Sequence, residues 1–407
     1  MHNAQVTSQN SQTNDRSVNT ESSRVTVSSR GEQRIRLGHP WVYRADVVDV
    51  AARGGDIVTV IGTRQRVLGQ ALFSDRSQIP IRMLTHGGAV ADIGLLRSRI
   101  QAAIAFREGL RLDATAYRLV HGEADLLPSL IVDRYGDYLA VQTLSQGMDR
   151  LLPTIVGVLQ ELLAPAGILA RNDPRVRSLE GLEQSVDVVL GSVPDAVVVR
   201  EGPIEFDVDL RRGQKTGLFL DQRENREAAA RYARGRLLDC FSYNGGFALF
   251  LAHACTDVEA LDISADAVAR IAANAQRNRL TNVRAREANV FDELRRLDKA
   301  GERYDTIVLD PPAFAKNKAA VPNARAGYKE INLRAMRLLR PGGYLVTCSC
   351  SYNVTEAMFA EVVEEAAIDS ETQMTLVEKR TQGRDHPVLL GVPETHYLKC
   401  FILRRLD

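Results

Sequence analysis

The sequence predicts an α/β protein whose C-terminal half is a parallel sheet covered on both faces. From about Glu201, strand-like runs alternate strictly with helix-like runs, and that alternation builds parallel sheets flanked by helices. A β-rich stretch and a mixed stretch come before it. The chain has 407 residues, too many for one ordinary core, so two or three domains are expected.

Residues 1–23, "MHNAQVTSQNSQTNDRSVNTESS", are polar throughout, with no apolar signal region. They read as a disordered leader, and secretion is not expected. No apolar run approaches the ~18 residues that span a membrane. Within residues 24–87, "DIVTVIG", "RVLGQALFS" and "QIPIRML" are strand-length runs parted by glycine and polar residues. This predicts a small β-rich domain. "LGHPWVYRADV" precedes them and holds the only tryptophan, Trp41, expected in that core. Residues 24–95 carry ten arginines, no lysine and six acids, about +4 within a chain of net charge +1. Such a segment either contacts phosphates or is a solvated face.

Residues 96–198 read as a compact α+β unit. "IGLLRSRIQAAIAFREGL" leads into it with helical periodicity. "LPSLIVDRYGDYLAVQT" is a strand pair, "RLLPTIVGVLQELLAP" a helix, and "VDVVLG" and "AVVVREG" are strands. Residues 199–407 hold the alternating segment. Its strands are "RLLDCFSY", "DVEALDI", "VRAREAN", "YDTIVLD" and "GYLVTCSC". Its helices are "GGFALFLAHAC", "ADAVARIAANAQRNRL", "EINLRAMRLLR" and "VTEAMFAEVVEEAA". "MTLVEKR" and "HYLKCFILRR" close the chain, and a hairpin there would add an antiparallel edge strand.

In such sheets ligands bind beyond the carboxyl ends of the strands. Strand one ends in "LDCFSYNGGFALF", where Asp239 is followed by Gly245 and Gly246 at the opening of a helix. Glycines there let a ligand approach backbone N–H groups. Strand two ends in Asp262, placed to hold both hydroxyls of a ribose; its competing role is to cap the helix in "SADAVAR". Strand three ends in Asn289, within reach of an adenine edge. Strand four ends in "LDPPAFAKNK". Pro311 and Pro312 stiffen the chain after Asp310, and Phe314 is pushed toward the same mouth. A rigid acid with an aromatic wall suits a planar base.

Strand five ends in "TCSCSYN". Cys348 lies in the apolar run and reads as core. Cys350, between two serines at the strand end, reads as the nucleophile, a role that needs nearby positive charge or hydrogen-bond donors. The five cysteines are odd in number and unevenly spread, which suits a reducing cytoplasm better than a disulfide framework. Cys348 and Cys350 form C-x-C with no histidine at zinc-finger spacing, so no metal is expected. A thiolate, an acid, a planar base and an adenosine-type cofactor predict covalent chemistry. The cysteine adds to carbon 6 of a pyrimidine, carbon 5 takes a methyl group, and Asp310 shares a proton with nitrogen 3.

These residues resemble the bacterial large-subunit ribosomal RNA cytosine-5 methyltransferases with an N-terminal PUA domain. The resemblance runs from about Val25 to the end. It rests on "HPWVYRADV", "EAD" at 123–125, "LPSLIVDRYG", "GQKTGLFLDQR", "LDCFSYNGGFAL", "DPPAFAKNK", "GYKEIN", "SCS" and "DHPV". It implies a PUA RNA-binding domain at 24–87, a central α+β domain at 96–198, and a class I Rossmann-like methyltransferase domain at 199–407. The final hairpin matches that fold's reversed seventh strand. The implied cofactor is S-adenosyl-L-methionine (SAM). Phe219, Asp221 and Gln222 would line its site, Asp239, Phe241, Tyr243 and Gly245 the methionine end, Asp262 the ribose and Asn289 the adenine. Pro311, Phe314 and Lys318 would face the substrate base, with Cys350 and Asp310 catalytic. Cys348 stands where relatives commonly have an aromatic residue, and Tyr352 where they have glycine. Ala313 and Phe314 follow Pro312, so no strand-four thiol assists product release. The implied partner is large-subunit ribosomal RNA, without a membrane, and a homodimer is left open. Two other functions compete. "DPPAFAKNK" alone also suits an N-methyltransferase for a purine base, and the chain could be a non-catalytic RNA-binding assembly factor. "SCS" opposes the first, and the cofactor-site residues oppose the second.

Overall fold

The computed structural model describes residues 23–315 and 317–407. The leader lies outside the described residues, apart from Ser23. The N-terminal sheet is built from β1 (Arg24–Val27), β2 (Trp41–Val42), β3 (Val47–Ala51), β4 (Ile57–Ile61), β5 (Val67–Phe73) and β6 (Ile81–Met83), with α1 (Ser29–Arg36) beside it. Its order is β2-β6-β5-β4-β1-β3. "IVTVI" alternates as a strand must, burying Val58 and Val60. Trp41 departs from expectation. It is only half-buried, and its Nε1 donates to Glu123 Oε1 at 3.0 Å, tying this sheet to the next unit.

That unit holds α2 (Ile93–Gly109), β7 (Ala116–His121), β8 (Leu130–Tyr135), β9 (Tyr138–Thr143), α3 (Gln146–Arg150), α4 (Leu152–Leu163), β10 (Gly167–Asn172), α5 (Val176–Leu179) and β11 (Ser185–Gly191). Asp92 caps α2 by accepting from the Leu95 N–H at 2.8 Å. The sheet order is β11-β10-β9-β8-β7. "AVVVREG" is not part of this sheet. It forms β12 (Val197–Glu201), which pairs with β13 (Ile204–Val208), a strand the sequence reading missed. The next helix in the chain with a long amphipathic face, α8 (Ala265–Arg277), holds this hairpin: Asn274 Oδ1 accepts from the Asp207 N–H at 2.8 Å.

The C-terminal sheet has α6 (Arg223–Ala230), β14 (Gly235–Cys240), α7 (Gly246–Leu251), β15 (Cys255–Asp262), β16 (Val283–Glu287), α9 (Val290–Lys299), β17 (Tyr304–Leu309), α10 (Val321–Leu338), β18 (Leu339–Ser349), α11 (Glu356–Asp369), β19 (Met374–Arg380) and β20 (Lys399–Arg405). Its order is β16-β15-β14-β17-β18-β20-β19. Both faces are buried, as a parallel sheet requires. Leu238, Ile307 and Leu345 pack on one side with α9, α10 and α11. Leu237, Val308, Val346 and Cys348 pack on the other with α6 and α7. One expectation is corrected. The antiparallel strand is β20, and it lies inside the sheet between β18 and β19. The edge strand, β19, runs parallel to the rest, because the last strand inserts beside β18 and leaves its hairpin partner outside. None of the described helices is long and apolar enough to cross a membrane.

Candidate active site

The carboxyl ends of β14, β15, β17 and β18 open into one cavity of about 350 Å³. Of the residues named from sequence, Phe219, Asp221, Gln222, Asp239, Phe241, Tyr243, Asp262, Asn289, Asp310, Pro311, Phe314 and Cys350 all line it. Two do not. Gly245 sits at φ +85 as the cap of α7, and a Cβ there would press on Leu249 Cδ1 at 3.0 Å. Its task is the turn and the helix packing, and Gly246 takes its place in the lining. Lys318 is exposed in the short turn before α10, where Asn317 Oδ1 accepts from the Ala320 N–H at 3.0 Å, and it is not part of the cavity lining.

The turn after β14 is shaped by two non-glycine residues in the left-handed region, Phe241 (φ 62) and Tyr243 (φ 53). Such conformations cost free energy and recur at functional sites. Two carboxylates hold the turn. Asp239 Oδ2 accepts from the Ala248 N–H at 2.9 Å, and Asp262 Oδ2 accepts from the Tyr243 N–H at 2.8 Å. Asp262 Oδ1 accepts from Ser264 N–H at 2.9 Å. Asn289 caps α9, its Oδ1 accepting from the Phe291 N–H at 3.0 Å, so only its amide nitrogen is free for a ligand.

Below the turn lies "GQKTGLFLDQR". Asp221 Oδ2 accepts from Lys215 Nζ at 2.6 Å and from the Tyr397 hydroxyl at 2.7 Å. Burial acts to raise the Asp221 carboxyl, but Lys215, His386 and these bonds together hold it well below the usual carboxylate range. Gln222 Nε2 donates to Asp310 Oδ1 at 2.8 Å. Burial, and then the negative charge of Asp221, push the Asp310 carboxyl up to about 6. Burial likewise pushes Asp239 to about 7.

Cys350 is partly exposed, while the other four cysteines are buried and outside the lining. Its thiol donates to the Pro311 carbonyl, with Sγ at 3.7 Å. Burial and the neighbouring Asp310 push it up to about 11. Cys348 is fully buried opposite Cys400 in the β18–β20 ladder. The loop carrying Cys350 is pinned by Tyr328 of "GYKEIN": its hydroxyl bonds Ser349 Oγ and Ser351 Oγ, each at 3.0 Å. Phe314 packs on the same tyrosine, with ring centroids 4.7 Å apart. Sequence reasoning missed Glu201, Lys215, Arg226, Ser242, Phe247 and Phe291 in the lining. Glu201 and Arg226 form a buried two-bond ion pair at 2.6 Å; nothing in their spacing signals it, because Glu201 arrives on β12. Lys215 did have a signal, its place in "GQKTG".

The cavity suits a cationic cofactor. Five carboxylates line it (Glu201, Asp221, Asp239, Asp262 and Asp310) against two basic side chains, Lys215 and Arg226. Among the described residues, Asp221 Oδ1 and Asp239 Oδ1 are buried without a partner. Buried polar atoms are rarely left so, and an ammonium group would supply the N–H donors such oxygens lack.

A family model described as S-adenosylmethionine-dependent methyltransferase matches residues 181–403, and one described as a PUA-like domain matches residues 25–86. Ribosomal RNA large subunit methyltransferase I of Tolumonas auensis is 38% identical over 95% of this chain and 100% of its own length. Its namesake from Erwinia tasmaniensis is 37% identical over 94% and 99%. Among solved structures, a putative SAM-dependent methyltransferase from Streptococcus mutans superposes with a TM-score of 0.80 at 20% identity, over 94% of this chain and 99% of that one. SMU.776, a putative methyltransferase complexed with SAH, gives 0.82 at 21%, with the same coverage. These two likenesses concern the fold.

Proposed function

The chain belongs to the S-adenosylmethionine-dependent methyltransferase family, and from that premise we propose that it methylates carbon 5 of a cytosine in large-subunit ribosomal RNA, in the cytoplasm, through a covalent Cys350 adduct. The relatives' name supports the RNA class. The single observation that carries the chemistry is Cys350: the one cysteine in the lining, beside Asp310 at the ends of adjacent parallel strands.

Asp221, Asp239, Asp262 and Asn289 would hold the cofactor. Bound SAM supplies an electrophilic methyl group on a positively charged sulfur. Cys350 Sγ bonds carbon 6 of the base, and the carbon 5–carbon 6 pair of electrons becomes available at carbon 5. Asp310, whose carboxyl is pushed up to about 6 and so carries a proton in about one molecule in ten near pH 7, donates to nitrogen 3 and stabilises that charge. Carbon 5 takes the methyl group and then loses its proton to a base. The returning electron pair restores the double bond and expels the Cys350 thiolate. Phe314, packed on Tyr328 with centroids 4.7 Å apart, forms the aromatic wall for the base. The proposed domain limits are 24–87, 96–198 and 199–407, with the PUA-like segment supplying RNA affinity.

The test is product mapping. Ribosomal RNA from a strain lacking the enzyme is methylated with labelled SAM and digested to nucleosides. 5-Methylcytidine is expected; label in an N-methylated purine would replace this reading with the purine one.

A further inference from the structure

A buried lysine stands behind the nucleophile. Lys399 opens β20 directly across from Ser349 and is 3% exposed. Its Nζ donates to the Ser351 carbonyl at 2.8 Å and to the Tyr397 carbonyl at 2.9 Å. Two of its three donors are thus fixed on backbone, one of them on the residue that follows Cys350. Among the described residues it joins no ion pair. An unpaired buried ammonium is costly, and burial draws Lys399 down to about 8. The fold keeps a charge where a neutral side chain would be cheaper.

The charges that face Cys350 are Asp310 and Asp221, which oppose ionisation, and Lys215 and Lys399, which favour it. Lys215 is bound to Asp221 at 2.6 Å, so those two fields offset each other at the thiol. Lys399 itself faces only Cys350 and Glu356. Glu356 is partly exposed and bound to Lys379 at 3.0 Å. Among the described residues, Lys399 is therefore the cation beside Cys350 whose field no bound carboxylate cancels.

We propose that Lys399 is the positioning residue that makes Cys350 a nucleophile, its fixed charge beneath the Cys350–Ser351 backbone stabilising the thiolate. This rests on the reading of Cys350 as the attacking group. In the step, the Cys350 S–H bond breaks, the proton passes to water, and the electron pair stays on Sγ. Below about pH 8 Lys399 is mostly an ammonium, and it exchanges no proton in this step. Its bonds to Ser351 and Tyr397 hold both the charge and the loop in one geometry.

The experiment is iodoacetamide alkylation of the full-length protein from about pH 6.5 to pH 7.5, where Lys399 is mostly charged and the rate follows the thiolate fraction. Peptide mass separates Cys350 from the four buried cysteines. The variants are Lys399→Gln, which keeps N–H donors without charge, Lys399→Arg, which keeps the charge, and Lys399→Met. The Gln and Met variants are expected to alkylate Cys350 about tenfold or more slowly near pH 7, equivalent to a thiol raised by about one unit. The Arg variant should stay within about threefold of wild type. If Met does not fold, Gln against Arg decides alone. A Gln profile that superimposes on wild type overturns the proposal, and so does an Arg variant as impaired as Gln, since shape and not charge would then matter. Alkylation uses neither RNA nor SAM. An unchanged Gln profile with an inactive Cys350→Ala enzyme removes Lys399 alone. A Cys350→Ala enzyme that still methylates removes the nucleophile, and this proposal with it.

Discussion

Exchanging either thiol of "TCSCS" for a methyl group should separate stability from chemistry in opposite directions. Cys348 is fully buried among Val308, Val346, Cys400 and Ile402. Its sulfur is about one methylene in size, so Cys348→Ala loses ~0.8 kcal/mol of transfer free energy. A residual void on the order of 20 Å³ adds ~0.5 kcal/mol at ~24 cal/mol per Å³. The expected cost is about 1.3 kcal/mol, read as a lower urea midpoint for the C-terminal unit. Cys350 is partly exposed, and its one hydrogen bond is a long sulfur contact at 3.7 Å, so Cys350→Ala should cost under about 0.5 kcal/mol. The chemical readout is the reverse. RNA carrying 5-fluorocytosine has no carbon-5 proton to lose, so the adduct accumulates and migrates as a protein–RNA band. Wild type and the less stable Cys348→Ala should form that band, and the more stable Cys350→Ala should not, while still binding SAM. A band with Cys350→Ala and none with Cys348→Ala would place the nucleophile two residues earlier. Methylation by both variants would refute covalent cytosine chemistry.

Asp262→Ala should weaken SAM binding by about 1.5–3 kcal/mol, the range for a hydrogen bond to a charged acceptor; an unchanged calorimetric affinity would remove Asp262 from the site. Asp239→Asn should stabilise the ligand-free protein at alkaline pH. The folded carboxyl is raised to about 7 from an unfolded value of ~3.9, so its contribution is complete below about pH 4 and lost as pH rises through about 7. Asparagine never ionises, and the variant should gain on the order of 2–4 kcal/mol over wild type at about pH 8 and nothing at about pH 4; equal urea midpoints at both pH values would contradict this. Arg30 and Arg36 are the exposed arginines of α1, and replacing both with alanine should reduce the salt slope of RNA binding by up to about 1.4 with SAM affinity intact; an equal slope would move the RNA surface elsewhere. Point changes are preferred to deleting the first 87 residues, because Leu72 of β5 is buried in the core of the central unit.

The alternating half of the chain was legible because its signals are local. Strand ends carry Asp239, Asp262, Asp310 and Cys350, and a parallel sheet brings all its carboxyl ends to one side whatever the loops do. What was not legible depends on long-range pairing. β13 is a short strand whose partner, β12, reads equally well as the end of the preceding unit. The position of β20 inside the sheet follows from which neighbour the last strand chooses, and two adjacent strand patterns leave that choice open. Lys318, expected to face the base by its place in "DPPAFAKNK", is exposed in the short turn before α10 and outside the cavity lining. Trp41 was expected in a core on hydrophobicity alone. Its indole N–H needs an acceptor, and Glu123 is 82 residues away in sequence.

Motifs that hold no chemistry by spacing acquire a physical role once the units are packed. "VDRYG" supplies Asp133 and Tyr135. Arg118 binds both Asp133 oxygens, at 2.8 and 2.9 Å. Thr216 Oγ1 donates to Asp133 at 2.6 Å, and the Tyr135 hydroxyl accepts from the Leu218 N–H at 3.2 Å. Thr216 and Leu218 lie in the loop that carries Lys215, Phe219 and Asp221. "EAD" supplies Asp125, which pairs with Arg107, and Arg107 Nη2 donates to the Asp385 carbonyl of "DHPV" at 2.9 Å. Asp385 Oδ2 accepts from the Arg118 N–H at 2.9 Å, and the neighbouring Gly383 N–H reaches the Asp221 carbonyl at 2.8 Å. The network is buried, so removing one charge strands another, at a cost of about 3–5 kcal/mol. An apolar replacement of equal volume could be as stable, but it would not fix the direction of Asp221. The central unit thus acts on the candidate site without lining it: its carboxylates set the loop, the loop aims Asp221, and Asp221 keeps one buried oxygen without a partner among the described residues.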